Sequence, residues 1–75
     1  MARYYFDLWE DDSLLQDSAG VELPNVTVAE EEALRAASAI AEESFRQGRE
    51  SVTVAVREGD NLVIRMSLRL EVTRT

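Results

Sequence analysis

The sequence predicts an α+β domain in which one amphipathic helix packs on one face of an antiparallel sheet. Three observations predict it: an aromatic, β-favouring opening, a central stretch with helical spacing, and a closing stretch that alternates apolar and polar residues. The expected order is β-β-α-β-β, which gives a sheet of three to four strands. With 75 residues, the chain has room for a single domain, residues 1–75.

The opening segment reads as a strand because aromatic residues dominate it. Its apolar alternation, which we expect to face the core, consists of Tyr4, Phe6 and Leu8. The opposite face carries Tyr5, Asp7 and Trp9. An acidic turn at residues 10–13 leads into a short returning strand at residues 14–16. Asp17 and Gly20 then occupy the first and last positions expected of a type I turn, and Pro24 keeps the preceding residues extended.

Helix boundaries are predicted from capping residues. Thr27 is the expected N-cap, because Glu30 three residues later completes a capping box. The run Glu30–Glu32 would then lie in the first turn, where the helix dipole favours carboxylates. Gly48 is expected to close the helix in a left-handed conformation. The expected buried stripe is rich in alanine and consists of Ala33, Leu34, Ala37, Ile40, Ala41, Ser44 and Phe45.

The closing segment predicts a hairpin whose register follows from side-chain parity. The valines at 52, 54 and 56 can share a buried face with Leu62, Ile64 and Met66 only if the loop has an odd number of residues. The simplest loop is residues 58–60, which pairs Val54 with Ile64. Leu68, Leu70 and Val72 would then overhang the neighbouring strand by about 17 Å and need cover from another strand or a second copy.

Composition bounds the partners and the cellular setting. Eight basic against fifteen acidic residues give a net charge of −7, which disfavours nucleic acid and anionic membranes. The charge would attract a basic protein partner, although keeping a small protein soluble explains it more simply. Without cysteine or histidine, the chain has no disulfide and lacks the usual zinc ligands. Self-association is therefore the expected extra source of stability for so small a core. No apolar run suggests a membrane span or signal peptide, so we expect a cytoplasmic protein.

Catalysis is not expected, and no cofactor or metal site is predicted. Histidine-based triads are impossible, and each of the three glycines has a turn or cap role. Residues 10–12 with Asp17 could offer oxygen ligands to a hard cation, but their spacing does not match a calcium loop and a solvated turn explains them better.

Candidate contact residues lie on the outer face and at the end of the chain. Aromatic and arginine side chains are typical of protein contacts and of sheets that bind single-stranded nucleic acid. An alternative is that Trp9 simply packs over the edge of the core. The candidates for self-association or partner contact are Tyr5, Trp9, Arg65, Leu68, Arg69, Leu70 and Val72.

The sequence resembles one family over nearly its whole length, and its layout is similar to that of a second. The opening residues 1–7, with residues 17–25 running into 33–36, resemble an uncharacterised family of short alphaproteobacterial, especially rhizobial, proteins that carry a domain of unknown function. The most specific part is Gly20–Pro24 shortly before the helix. That resemblance implies kinship and no assigned activity.

More distantly, the layout is similar to the sheet-and-helix domain of HicB-type antitoxins, although two extra glutamates follow Thr27–Glu30 before Ala33. The DNA-binding segment that usually follows in those antitoxins is missing. This analogy implies a domain that neutralises a small basic toxin. The sequence thus predicts a non-catalytic, self-associating protein-interaction domain, with antitoxin-like and nucleic-acid-binding roles as alternatives.

Overall fold

The computed structural model describes residues 1–75 and contains one helix and five strands, which form a single antiparallel sheet. The α+β prediction is confirmed, with one strand more than expected. In chain order the elements are β1 (Ala2–Glu10), β2 (Ser13–Leu15), β3 (Val21–Leu23), α1 (Val26–Arg46), β4 (Ser51–Glu58) and β5 (Asn61–Arg69).

The two edges of the sheet are built differently. The strand order is β2-β1-β4-β5, and β3 also pairs with β1. β2 pairs with residues 8–10 of β1, and β3 pairs with residues 2–4. β5 pairs only with β4, so its far side is a free edge. The additional strand, β3, arises from the segment that Pro24 was expected to hold extended.

The helix begins two residues earlier than its sequence signals predict. The N-cap is Asn25, whose Oδ1 accepts a hydrogen bond of 3.0 Å from the backbone N–H of Val28. Thr27 therefore lies inside the first turn, and the prediction of Thr27 as N-cap is wrong. The first turn contains no acidic residue, so helix-dipole compensation does not explain the run Glu30–Glu32. Asparagine caps as well as threonine does. Ala29, which the predicted stripe omits, is buried as well.

The end of the helix follows the prediction. Gln47 is the C-cap, and Gly48 has a positive φ of 94°. The N–H of Gly48 donates to the carbonyl of Phe45, and the N–H of Arg49 donates to the carbonyl of Ser44. This is the paired arrangement of a Schellman motif, which satisfies carbonyls that would otherwise lack partners.

The core lies between small helix side chains and the central strand. The helix contributes five fully covered residues, which are Ala29, Ala33, Ala37, Ala41 and Ser44. They face Val52, Val54 and Val56 of β4, all of which are buried. The buried face of the helix is thus made of small side chains, mostly the alanines that the sequence predicts. Leu34, however, is 54% exposed, so its predicted place in the buried stripe is wrong.

The closing hairpin keeps the predicted parity but not the predicted register. Its loop has two residues, because Glu58 pairs with Asn61 and Gly59 adopts a positive φ of 61°. Arg57 pairs with Leu62 but Val56 pairs with Ile64, so Val63 forms a bulge without a partner in β4. The extra residue sits in the strand rather than in the loop, and this changes the register by two residues.

Because of the bulge, the predicted pairing of Val54 with Ile64 and the predicted burial of Leu62 are both wrong. Val54 pairs with Met66 and Val52 pairs with Leu68, so the valines and the apolar residues of β5 share one face. Leu62, in contrast, pairs with Arg57 and is 61% exposed rather than in the core.

The predicted overhang is also shorter. Leu68 has a partner in Val52, and Arg69 has one in Ser51, so neither extends past β4. The N–H of Leu70 still donates to the carbonyl of Glu50 at 2.9 Å. Only the residues after Leu70 extend beyond β4 and the residue that precedes it, and Val72 is 75% exposed.

Candidate functional site

An ion pair lies on the outer face of the sheet, the face opposite the helix. Asp7 of β1 is buried, and Arg57 of β4 donates to it from Nε at 2.7 Å and from Nη2 at 3.4 Å. The same guanidinium also donates to the carbonyls of Asp17 and Gly59. Arg57 therefore ties two loops and a strand together. A buried charge needs such partners to remain charged.

The Asp17 turn, residues 17–20, folds over this ion pair. The N–H of Asp17 donates to Asp7 Oδ1 at 2.9 Å. The carboxylate of Asp17 in turn accepts from the N–H groups of Ala19 and Gly20, so the Asp17 side chain rather than its carbonyl closes the turn.

The carboxylate of Asp17 also closes a gap in the edge of the sheet. β2 and β3 leave residues 5–7 of β1 without a neighbouring strand. Within this gap the N–H of Phe6 points outward, and it donates to Asp17 Oδ2 at 3.1 Å. The β1 edge is thus covered along its length by two short strands and one side chain.

Tyr5, one of the predicted contact residues, is held inside this cluster. Arg57 lies over its ring at 4.5 Å from the centroid, which is a cation–π arrangement. Gly20 packs against the same ring, because a Cβ at this position would lie 2.9 Å from Tyr5 Cε2. Gly20 also has a positive φ of 69°. The Asp17 turn therefore covers the part of the outer face that contains Tyr5, Asp7 and Arg57.

The electrostatics of the cluster favour the charged forms. Burial would raise the pKa of Asp7, but hydrogen bonds from Arg57 and from the N–H of Asp17 outweigh it and leave that pKa below its usual value. The N–H of Phe6 is the largest cause of the lowered pKa of Asp17. The hydrogen bond to Asp7 raises the pKa of Arg57. Each charge in the cluster is thus satisfied within the chain.

The acidic turn between β1 and β2 also has an internal role. Asp11 Oδ1 accepts from the N–H groups of Glu50 and Ser51, both at 3.1 Å, and the N–H of Asp11 donates to the carbonyl of Ser51. The hydrogen bond from Glu50 is the main cause of the lowered pKa of Asp11. No group of three or more acidic side chains is arranged to hold a metal ion.

The other half of the outer face is open. Trp9 pairs with Leu14 on one side and Thr53 on the other, and both apolar side chains are exposed, Trp9 by 39%. Thr53 pairs in turn with Ser67, and their hydroxyls share a hydrogen bond of 2.8 Å. Arg65 lies opposite Ala55, without an acidic partner in the chain. Trp9 and Arg65 are therefore both exposed on this half of the face.

The free edge of β5 offers backbone groups as well as side chains. Because the N–H of Leu70 points toward β4, strand alternation turns the N–H and C=O groups of Arg65, Ser67 and Arg69 away from the sheet. No strand, loop or side chain of this chain pairs with them.

An open groove of about 510 Å³ lies next to the end of β5. Its apolar lining is Phe45 from the helix together with Leu70 and Val72 from the C-terminal segment. Charged residues surround it, including Arg69 and Glu71. The predicted contact residues at the chain end therefore gather beside the free edge.

The segment of residues 17–25, on which the family resemblance depends, has a structural role at each of its parts. The Asp17 turn covers the ion pair, β3 pairs with β1, and Asn25 caps the helix. A family model described as a domain of unknown function, DUF6894, matches residues 3–72. The chain belongs to this family. No curated protein and no solved structure matches it.

The residues that match the DUF6894 model include almost the whole fold, with the closing hairpin and all of β5. The most specific part of the resemblance, Gly20–Pro24, ends the Asp17 turn and forms β3. In addition, no helix here combines the length and the apolar character that crossing a membrane requires.

The ion pair is the feature that the sequence analysis missed. The alternation of β1 and β4 already places Asp7 and Arg57 on the outer face. Opposite charges on the same face of two strands were the available signal. The partners themselves depend on the pairing of Tyr5 with Arg57, which only the structure gives.

Proposed function

We propose that this DUF6894 domain is a non-catalytic protein-interaction module that acts as a homodimer. The observation that carries the proposal is the free edge of β5, a nine-residue strand at the end of an otherwise covered sheet. An exposed edge strand presents unpaired N–H and C=O groups, which pair readily with another strand.

The small core supports the same proposal. Only 10 of the 75 residues are buried, and alanine and valine supply most of them. Such side chains bury little apolar surface, so a chain of this size gains from association. A dimer joined at β5 would extend the sheet and cover half-buried side chains on the helix face, among them Ile64, Met66 and Leu68.

The buried charges favour a structural role over a catalytic one. Asp7, Asp17 and Arg57 satisfy one another and nearby backbone groups. A catalytic pair needs a cleft and a reacting atom within reach. The cluster instead lies beneath the domain's own turn.

The homodimer is tested by light scattering coupled to size exclusion. The expected mass is twice the 8.4 kDa of one chain, with dissociation on dilution. Ser67→Pro should shift the equilibrium to monomer, because it removes an N–H that points away from the sheet. Ser67→Ala is the matched control, since it loses the same hydroxyl bond to Thr53 and keeps the N–H. A monomeric wild-type chain at all concentrations would overturn the proposal.

The antitoxin-like and nucleic-acid hypotheses remain predictions from the sequence. The net charge of −7 favours a basic partner and disfavours nucleic acid, as before. A small basic protein could still use the open half of the outer face, around Trp9 and Arg65.

A further inference from the structure

The free edge of β5 does not accept every register of a second copy. In an antiparallel pair of strands, two directly opposed residues form either a hydrogen-bonded pair or a non-hydrogen-bonded pair. In the first, the N–H and C=O groups of both residues point toward the other strand, and in the second they point away from it. Arg65, Ser67 and Arg69 point outward, so only these can form the hydrogen-bonded pairs. The sum of two opposed residue numbers must therefore be even, which places both helices on the same face of the joined sheet.

Charge separates the remaining registers. A twofold axis at Arg65 would oppose this arginine to itself, and an axis at Ser67 would oppose Arg65 to Arg69. Like charges directly opposite are destabilising. An axis at Met66 avoids both clashes but opposes Arg69 to Val63, the residue at the bulge. An axis at Arg69 would again oppose an arginine to itself. An axis at Leu70 would place the charged Arg74 opposite Met66 on the helix face.

An axis at Leu68 meets all of these conditions. Resting on the homodimer proposed above, we infer that two copies pair antiparallel along residues 64–72 with Leu68 facing Leu68. Arg65 then lies opposite Glu71 of the second copy, twice per dimer, and Ser67 lies opposite Arg69. The pairing avoids the bulge and continues β5 into the segment that the chain's own sheet leaves uncovered.

The helix side of the pairing is apolar. Met66 would lie opposite Leu70 of the second copy, and Ile64 opposite Val72. In one chain Leu70 and Val72 line the open groove beside Phe45, and Val72 is 75% exposed. The second copy would thus cover the apolar residues that extend past β4. The occupant of this edge is therefore a second copy of the same chain.

The absence of cysteine from the sequence allows a direct test by disulfide trapping. Leu68→Cys should form a disulfide dimer under mild oxidation, because non-hydrogen-bonded partners have Cα atoms about 4.5 Å apart. Met66→Cys is the matched control on the same face of the strand, and it should remain reduced. Circular dichroism establishes that both variants are folded.

A charge reversal tests the same register without cysteine. Arg65→Glu or Glu71→Arg alone should weaken the dimer about tenfold, and the double variant should restore it. Within one chain these residues are about 20 Å apart along an extended strand, so rescue cannot arise inside a monomer. Asp60→Arg, in the distant hairpin loop, makes the same charge change as Glu71→Arg and should leave the dissociation constant unchanged.

The outcomes separate the two proposals. A wild-type dimer in which Met66→Cys crosslinks and Leu68→Cys does not would overturn this register but leave the homodimer standing. A dimer without charge rescue would do the same. A chain that is monomeric in light scattering overturns both.

Discussion

The charged residues of the outer face show how much one side chain decides in a small domain. Arg57 contacts Asp7, the carbonyls of two loops and the ring of Tyr5. The contacts with Asp7 and Asp17 join parts of the chain that are 50 and 40 residues apart in sequence. The side chains of the pair are 20% and 13% exposed, so water screens them far less than the ion pairs along the helix.

Removal of Asp7 is therefore expected to destabilise the domain. Asp7→Ala should lower the free energy of unfolding by about 2 kcal/mol, because it leaves Arg57 and the N–H of Asp17 without their acceptor. Urea unfolding followed by Trp9 fluorescence measures this change.

The matched control removes an exposed carboxylate. Glu42 forms an ion pair with Arg46 one helical turn away, and both side chains are more than two-thirds exposed. Glu42→Ala should change the free energy of unfolding by less than about 0.5 kcal/mol. Equal effects of the two substitutions would contradict the structural role of Asp7.

At the scale of the element, helix α1 shows how two nearby capping signals compete. Both Asn25 and Thr27 have side chains suited to an N-cap. The later start would complete a capping box, whereas the earlier start adds Val26 and Thr27 to the helix. Burial of the alanine face against β4 depends on tertiary packing, which a local motif does not include.

The two capping candidates give opposite expectations on substitution. Asn25→Ala should lower the free energy of unfolding by about 1 kcal/mol, because the N–H of Val28 loses its acceptor. Thr27→Ala lies within the helix and should change it by much less, since alanine has the higher helix propensity. Thermal unfolding followed by circular dichroism at 222 nm, the usual helix signal, compares them. A larger loss at Thr27 would contradict the observed cap.

The hairpin of β4 and β5 makes a similar point about strands. Parity alone requires that the valines face the apolar residues of β5, and this part of the prediction is confirmed. Parity does not say whether the odd residue lies in the loop or in a bulge. The tight turn at Gly59 and Asp60 places it in the strand and so moves Leu68 opposite Val52.

For the whole molecule, three carboxylates link its stability to pH. The pKa values of Asp7, Asp11 and Asp17 are all lowered from the usual 3.8. A lowered native pKa stabilises the fold above the pKa of the unfolded chain, and that contribution is lost as pH falls through the native value. The free energy of unfolding should therefore fall below about pH 4 and should not rise there as the net negative charge decreases.

A pair of variants identifies the source of this acid sensitivity. Asp17→Asn should flatten the dependence of the urea midpoint on pH below about pH 4, because one linked carboxylate is removed. Glu30→Gln, on the exposed helix surface, should leave the dependence unchanged. The measurements are made at one protein concentration, so that association is held constant. A wild-type midpoint that stays flat down to pH 2 would contradict this linkage.

The sequence by itself determined the fold class, the helix and its end at Gly48, the turn at Asp17, and the faces of β1 and β4. Each follows from local periodicity or from a residue with a strong conformational preference. It also determined that Trp9 and Arg65 lie opposite the core. These features need only neighbouring residues, which is why a pattern predicts them.

Only the tertiary structure decided the cap at Asn25, the strand β3, the ion pair of Asp7 with Arg57, and the bulge that fixes the register of β5. The strand β3 and the ion pair depend on residues far apart in sequence meeting across the sheet, whereas the cap and the bulge each select one of two local alternatives that the sequence leaves open. The overhang illustrates the difference. The sequence predicted that it begins at Leu68, whereas the bulge gives Leu68 a partner and leaves the chain uncovered only beyond Leu70.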